Sequence, residues 1–274
     1  MVPRSKFLAV AGLFLGAAVA LADPPAKPAT PPPEPDQKKL LPYMESWEKS
    51  MADVKTLIME CKRDDKKVTF DTKDKFAGKA FFMKDKDDIF IFIQMVKMDK
   101  KDPTKPDASG IYERFICNPT ACYEYVPQEK KIRYRQIPAG KAGKGADDNL
   151  LSFLFNTNAK KAMERYKLKL AKEDDFYVYV EVRPTLAADK VDFQVAKVCL
   201  DKETFLPRQL WFRQNNGDEV LWDLPSIEKN KKLERKMFDK PDLPLEPGEK
   251  VSKWKYEEMP KEPEPRVVRP KGEK

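Results

Sequence analysis

The chain has 274 residues, 53 Lys and Arg against 45 Asp and Glu, a net charge of +8, and no histidine. That length suits one domain of ordinary size with extensions, and the missing imidazole excludes Ser-His and Cys-His nucleophile pairs, histidine metal ligands and a switch near neutral pH. Because acids are interspersed among the bases, the excess charge reads as a mixed, solvated surface that can touch anionic membrane weakly, and nucleic acid is not expected as a partner.

Residues 1–22 combine Pro3, Arg4 and Lys6 with an uncharged run over 7–20 and the small-x-small exit Ala20-Leu21-Ala22. This is the pattern of a signal peptide cleaved after Ala22, and the run is too short to span hydrocarbon. Export to a periplasmic or other extracytoplasmic compartment is therefore expected, with the mature chain soluble. No cysteine follows the cleavage site, so a lipid-anchored start has no support. Residues 23–38 are proline-rich and read as an extended linker.

A helix is expected next, because Met44, Trp47, Met51, Val54, Ile58 and Cys61 step by three and four onto one face, with Pro42 in the first turn. Strand-like runs follow at 67–72, 78–84, 89–98, 110–117, 122–127 and 130–138, set apart by turn residues. The run at 89–98 is unusual: Ile89, Phe90, Ile91, Phe92 and Ile93 are all apolar. A strand with one wet face would alternate, so both faces of this one must be covered. Residues 139–147, AGKAGKGAD, form a glycine-containing connector without the Gly-Lys-Ser/Thr ending of a nucleotide loop. Residues 147–166 carry Leu150, Leu151, Phe153, Leu154 and Phe155 behind an Asp N-cap, too apolar for a solvent-exposed helix. Strands resume at 167–171, 176–183, 191–201, 205–214 and 219–229, and residues 250–274 read as a charged, proline-rich, disordered tail.

About eleven strands with few helices do not make a wound α/β fold. The expected class is mainly β (α+β): one large curled antiparallel sheet with an N-terminal helix and a helical lid insert lying against it.

Export permits disulfides. Cys117 and Cys122 flank Asn-Pro-Thr-Ala, which fits either a hairpin-spanning bridge or two buried thiols, and Cys61 with Cys199 is a weaker second pairing. A zinc site is disfavoured, there being no C-x-x-C spacing. The carboxylate pairs Asp64-Asp65, Asp87-Asp88, Asp147-Asp148 and Asp174-Asp175 each sit beside the start of a strand or helix, where Asp serves turns and N-caps. No catalytic residue, cofactor or metal is expected, and the chain does not read as an enzyme.

A set of residues in order resembles the outer-membrane lipoprotein carrier (LolA/LolB-like) superfamily, and within it the exported planctomycete-type branch. Trp47, Met51, Val54 and Leu57 resemble its opening helix, and Gly78, Phe82 and Lys84 its Gly-x-apolar strand. Tyr123, Tyr125, Pro127 and Ile132 resemble its aromatic hairpin. Leu200-Asp201, Leu206-Pro207, Leu210, Gly217 and Glu219 follow the closing hairpin pattern, and Asn230, Phe238, Pro241, Pro244, Gly248 and Val251 the ending. The resemblance implies an unclosed half-barrel over 39–249 whose apolar cavity, under helical lids, binds lipid or the acyl chain of a lipoprotein. The cavity is expected at Phe82, Ile89, Ile91, Phe92, Phe115 and Tyr125, beneath a lid of Leu151, Leu154 and Phe155. In one respect the chain departs from the family pattern: an Arg-Trp pair belongs on the strand after the glycine strand, and here that region reads Asp87-Asp88-Ile89-Phe90. The other reading is a structural or sensory envelope module whose half-barrel is filled by its own side chains and whose tail binds a protein partner.

Overall fold

A computed structural model describes residues 35–86, 88–137, 158–187, 189–245 and 248–259. Helix α1 (Leu40–Ala52) is followed by β1 (Thr56–Lys67), β2 (Thr72–Asp85), β3 (Asp88–Met98), β4 (Pro106–Cys117), β5 (Ala121–Val126) and β6 (Lys131–Gln136). Then come α2 (Ala159–Arg165), β7 (Tyr166–Glu173), β8 (Tyr177–Pro184), the short α3 (Asp189–Asp192), β9 (Val195–Asp201), β10 (Pro207–Arg213), β11 (Glu219–Lys229) and β12 (Lys255–Glu258).

The strands form one sheet of twelve in the order β12-β6-β5-β4-β3-β2-β1-β11-β10-β9-β8-β7. Every neighbouring pair is antiparallel except β12 with β6. Because β12 and β7 lie at opposite ends of that order and do not pair, the sheet is an unclosed half-barrel, the class expected from the sequence.

Several boundaries differ from expectation, among them the strand expected at 191–201, which begins at Val195 because residues 191–192 belong to α3. The opening helix stops at Ala52, and the residues from Thr56 form a strand in which Leu57, Met59, Cys61 and Arg63 are buried while Glu60 and Lys62 are exposed. The alternation of period two across 57–63 prevails over the helical spacing that Ile58 and Cys61 happen to share with α1. Residues 68–71 form the β1–β2 turn instead of a strand, with Phe70 74% exposed and Asp71 at φ 45°. Part of the segment expected to be tail pairs with β6 as β12, in the register Tyr256 to Ile132.

The β7 edge is closed by a side chain from the proline-rich region. Gln37 donates from Nε2 to the Leu170 carbonyl (2.8 Å) and accepts from the Leu170 N–H at Oε1 (2.9 Å), so its carboxamide takes the place of a thirteenth strand at that point. Three residues away, Glu173 accepts from Tyr43 Oη (2.8 Å), Lys202 Nζ (2.9 Å) and Lys39 Nζ (3.2 Å), tying α1 and the β9–β10 turn to the same edge. Hydrogen bonds from Lys202 and Tyr43 pull the Glu173 carboxyl down to about 2, while burial and then the bond to Glu173 push Tyr43 up to about 12.

A depressed carboxyl stabilises the fold above its ordinary value of 4.5, and that contribution is lost as pH falls through about 2. Glu173→Gln is expected to lower stability by about 1 kcal/mol at pH 7, the pair being partly solvent-screened. The gap between variant and wild type should close between pH 4.5 and 2 in urea unfolding curves. At Gly78, opposite Met95, a Cβ would stand 1.9 Å from the Gln94 carbonyl oxygen, so Gly78→Ala must push β2 and β3 apart. A loss of about 1–3 kcal/mol is expected from the same unfolding measurement.

Candidate functional site

Directly opposed residues in neighbouring strands share a face. Ile91 opposes Phe82 and Cys117, Phe82 opposes Leu57, and Ile93 opposes Ala80 and Phe115. These side chains belong to the core that contains Leu40, Met44, Trp47 and Met51 of α1. Phe92 instead opposes Phe81 and Ile116, Ile116 opposes Tyr123, and Tyr125 opposes Ile132. The six residues expected to line one cavity are therefore divided: Phe82, Ile89, Ile91 and Phe115 lie on the α1 face, Phe92 and Tyr125 on the other. Counting parity across the turn between β4 and β5 is what places Tyr125 on the second face.

The α1 face is densely filled near the helix, where Met44, Trp47 and Met95 are fully buried. Further apolar side chains packed against that core, among them Ile89, Phe115, Phe212, Trp222 and Ile227, are only half-buried. The same face carries a buried cation that the sequence reading missed. Arg63 lies with its guanidinium 4.5 Å from the Phe76 ring centre and 5.1 Å from that of Trp222, with Nη1 2.7 Å from Glu113 Oε2 and Nε 3.0 Å from Asp65 Oδ1. Burial pushes the Asp65 carboxyl above its ordinary range, against the opposing pull of Arg63. The signal was present in the alternation Leu57, Met59, Cys61, Arg63, which becomes visible only once residues 56–67 are read as a strand.

The second face of β3 to β6 is covered by the chain that follows β11. Asn230, at φ 58°, ends that strand and accepts from the Lys55 N–H with its side-chain oxygen (2.8 Å). The 3-10 turn Arg235–Phe238 then places the fully buried Phe238 ring 5.7 Å from Phe90, and Asn118 Nδ2 donates to the Phe238 carbonyl (2.9 Å). Leu243, Trp254 and Tyr256 continue this strap over a second core of Ile116, Ala121, Tyr123, Tyr125 and Ile132, with Trp254 5.8 Å from Tyr125. Beside them Arg114 lies 4.9 Å from the Tyr125 ring and is fixed by Gln94 Oε1 at 2.6 Å. What covers the second face of the unalternating strand is thus the strap at Phe90, while Phe92 packs on the second core beside Phe81 and Arg114. Leu151, Leu154 and Phe155, the expected lid, lie outside the described residues, as does the signal segment.

Cys117 and Cys122 face each other across the β4–β5 hairpin and form a disulfide. Asn118 shapes the turn between them, its side-chain oxygen accepting from the N–H groups of Thr120 (2.9 Å) and Ala121 (3.0 Å). Cys61 and Cys199 are free and buried, so the second pairing does not form. Burial pushes their thiols up to about 12 and about 11, which keeps them protonated at neutral pH. Of the carboxylate pairs, Asp174 caps the β7–β8 turn by accepting from the Tyr177 N–H (2.8 Å), whereas Asp64 and Asp65 lie within β1 on opposite faces. Asp87 and the pair Asp147-Asp148 lie outside the described residues. Among the described residues no group of three or more Cys, Asp or Glu is arranged to hold a metal ion, and no helix is long and apolar enough to cross a membrane.

No family model matches the sequence, and no curated protein does. Solved structures do show a likeness. An outer-membrane lipoprotein-sorting protein domain from Vibrio parahaemolyticus is 11% identical, over 74% of this chain and 97% of that one, with a TM-score of 0.39. An uncharacterized conserved protein from Thermus thermophilus is 7% identical over 80% and 98% of the two chains, with a TM-score of 0.45. A LolA superfamily protein from Nitrosomonas europaea is 11% identical over 73% and 96%, with a TM-score of 0.34. At these identities and TM-scores the likeness carries no family, site or ligand over to this chain.

The strap makes a stability prediction. Phe238→Ala removes the ring that covers Phe90 and is expected to cost about 3 kcal/mol. Denaturant unfolding should show that loss, with faster proteolysis after residue 230 if the strap detaches first.

Proposed function

We propose that the chain is an extracytoplasmic binding protein that holds lipid, or the acyl chain of an acylated protein, against the α1 face of its half-barrel. The observation that carries this reading is a mismatch of widths. The 13 residues of α1 span about 20 Å, whereas the nine strands from β4 to β7, which keep apolar residues on this face, extend roughly 40 Å at about 4.8 Å spacing. Apolar side chains on the same face, Ile89, Phe115, Phe212, Trp222 and Ile227, stay half-buried. An acyl chain laid on them gains about 0.8 kcal/mol for each CH₂ taken out of water and needs no catalytic group. Within this proposal the apolar residues Leu151, Leu154 and Phe155 supply the cover, and export places the protein where acylated proteins are handled.

A second reading, a non-enzymatic envelope module that binds a protein partner through its tail, is favoured by the complete burial of Met44, Trp47 and Met95 under the helix. In that case the half-barrel is filled by its own side chains.

Mass spectrometry of the natively purified exported chain, extracted into organic solvent, separates the two. Stoichiometric acyl lipid is expected, and Ile89→Asp should reduce both copurifying lipid and uptake of a fluorescent fatty acid by about tenfold or more. An empty protein that ignores the probe would overturn the binding reading. Capture of an envelope protein that is lost on deleting residues 260–274 would then establish the module.

A further inference from the structure

The strap and the sheet enclose a crevice on the face opposite α1, with a volume of about 470 Å³. That is within the range of small-ligand sites. Its walls are aromatic: Tyr123 and Tyr134 stack with ring centres 6.2 Å apart at 28°, and Tyr134 meets Tyr256 edge-on at 6.2 Å and 87°. Two of these rings are pinned by their hydroxyls. Tyr134 donates to Glu258 Oε2 (3.3 Å) and Tyr256 to the Pro241 carbonyl. The surface is therefore held in place before any ligand arrives, which lowers the ordering cost of binding.

The third ring differs. Tyr123 is only 7% exposed, lines the crevice, and its hydroxyl has no hydrogen-bond partner among the described residues. Burial raises its pKa above the ordinary phenol value, so at neutral pH it is a neutral O–H donor. With no acceptor among the described residues, that O–H is available to donate to a ligand in the crevice it lines. Lys240 supplies the charge. Its Nζ stands 4.2 Å from the centre of the Tyr256 ring, and among the described residues it forms no ion pair with a carboxylate. Gln136 also lines the crevice, its amide without a hydrogen-bond partner among the described residues. Among the described residues, Glu258 is the one carboxylate bonded to a lining side chain, and Tyr134 already occupies it.

We propose that this crevice binds a small aromatic anion, its carboxylate received by Lys240 and the Tyr123 hydroxyl and its ring laid on Tyr134 and Tyr256. An ammonium and an O–H lining one crevice suit an anionic oxygen, and the tyrosine faces suit a flat π-system more than a flexible chain. The site is on the other side of the sheet from the proposed acyl surface, so each can fail without the other.

The test is calorimetric titration of the exported chain with 2-naphthoate, alongside 2-naphthylmethanol and inorganic phosphate as probes of ring alone and anion alone. Naphthoate is expected to bind at least about tenfold more tightly than either probe. Lys240→Met should remove about tenfold or more of that affinity together with the advantage over the alcohol, and Tyr123→Phe roughly threefold to tenfold. Thermal melting establishes that each variant is folded, and if one is not, the other decides. Naphthoate that fails to bind at millimolar concentration overturns the proposal. So does naphthoate that binds the folded variants as tightly as the wild type, which would place it elsewhere, or phosphate that matches it, which would leave the rings without a role.

Discussion

The structure depends on burying both faces of β3. Ile91 and Ile93 enter the core beneath α1, while on the other face Phe90 is buried against Phe238 of the strap and Phe92 packs on the second core. A strand that supplies two cores cannot sit at the edge of a sheet or face water, and β3 is the fifth strand counted from the β12 edge. From there outward the buried side of the sheet changes. Toward β7 the apolar side chains stay with α1. Toward β6 they turn to the strap, and the side facing away from it carries charge: Arg133 opposes Glu124 and, with Lys131, forms ion pairs with Glu129 and Glu257. One sheet thus serves two cores because its amphipathic sense reverses across β3 to β5.

That reversal explains which parts of the fold could be read in advance. The strands from Gly78 onward were legible because their apolar residues alternate or run continuously, and turn residues separate them. The requirement that Ile89 to Ile93 be covered on both sides was legible too. What supplies the second cover was not, since Phe238, Leu243, Trp254 and Tyr256 are single apolar residues scattered among prolines and lysines, without any period. Composition marks such a segment as tail, yet four large side chains are enough to dock it when a prepared apolar face awaits them. The boundary between α1 and β1 failed for the opposite reason. Met51, Val54, Ile58 and Cys61 satisfy a helical period by coincidence, and the break after Ala52 is made by distant partners, above all Asn230 bonding Lys55.

The same limit applies to the candidate site. Phe82 and Ile91 are buried and Ile89 and Phe115 half-buried, and pairing parity shows that the four share a face. Phe92 and Tyr125 could not be assigned to a face without the register of β3 and the β4–β5 turn. Arg63 was hidden altogether, because a charged residue in a presumed helix end carries no hint of burial. Its placement between Phe76 and Trp222 works only because Glu113 and Asp65 remain within ion-pair distance. A guanidinium taken from water without such partners would cost several kcal/mol.

The chemistry available on the two faces follows from this layout. From β4 toward β7 the α1 face offers apolar area around the ion-paired Arg63, which suits a ligand recognised by shape and desolvation. The strap face offers tyrosine rings, a Tyr123 hydroxyl without an acceptor among the described residues and the Lys240 ammonium, which suits a ligand with a fixed charge. Without histidine, and with the Cys61 and Cys199 thiols raised to about 12 and about 11, those side chains do not change charge across neutral pH. Recognition on either face then rests on geometry: how far a ligand reaches along the half-buried apolar row, and whether the strap holds Tyr256 and Lys240 where β5 and β6 can use them. Since the strap docks through Phe238 onto Phe90, the strand that joins the two cores also governs whether the second site exists.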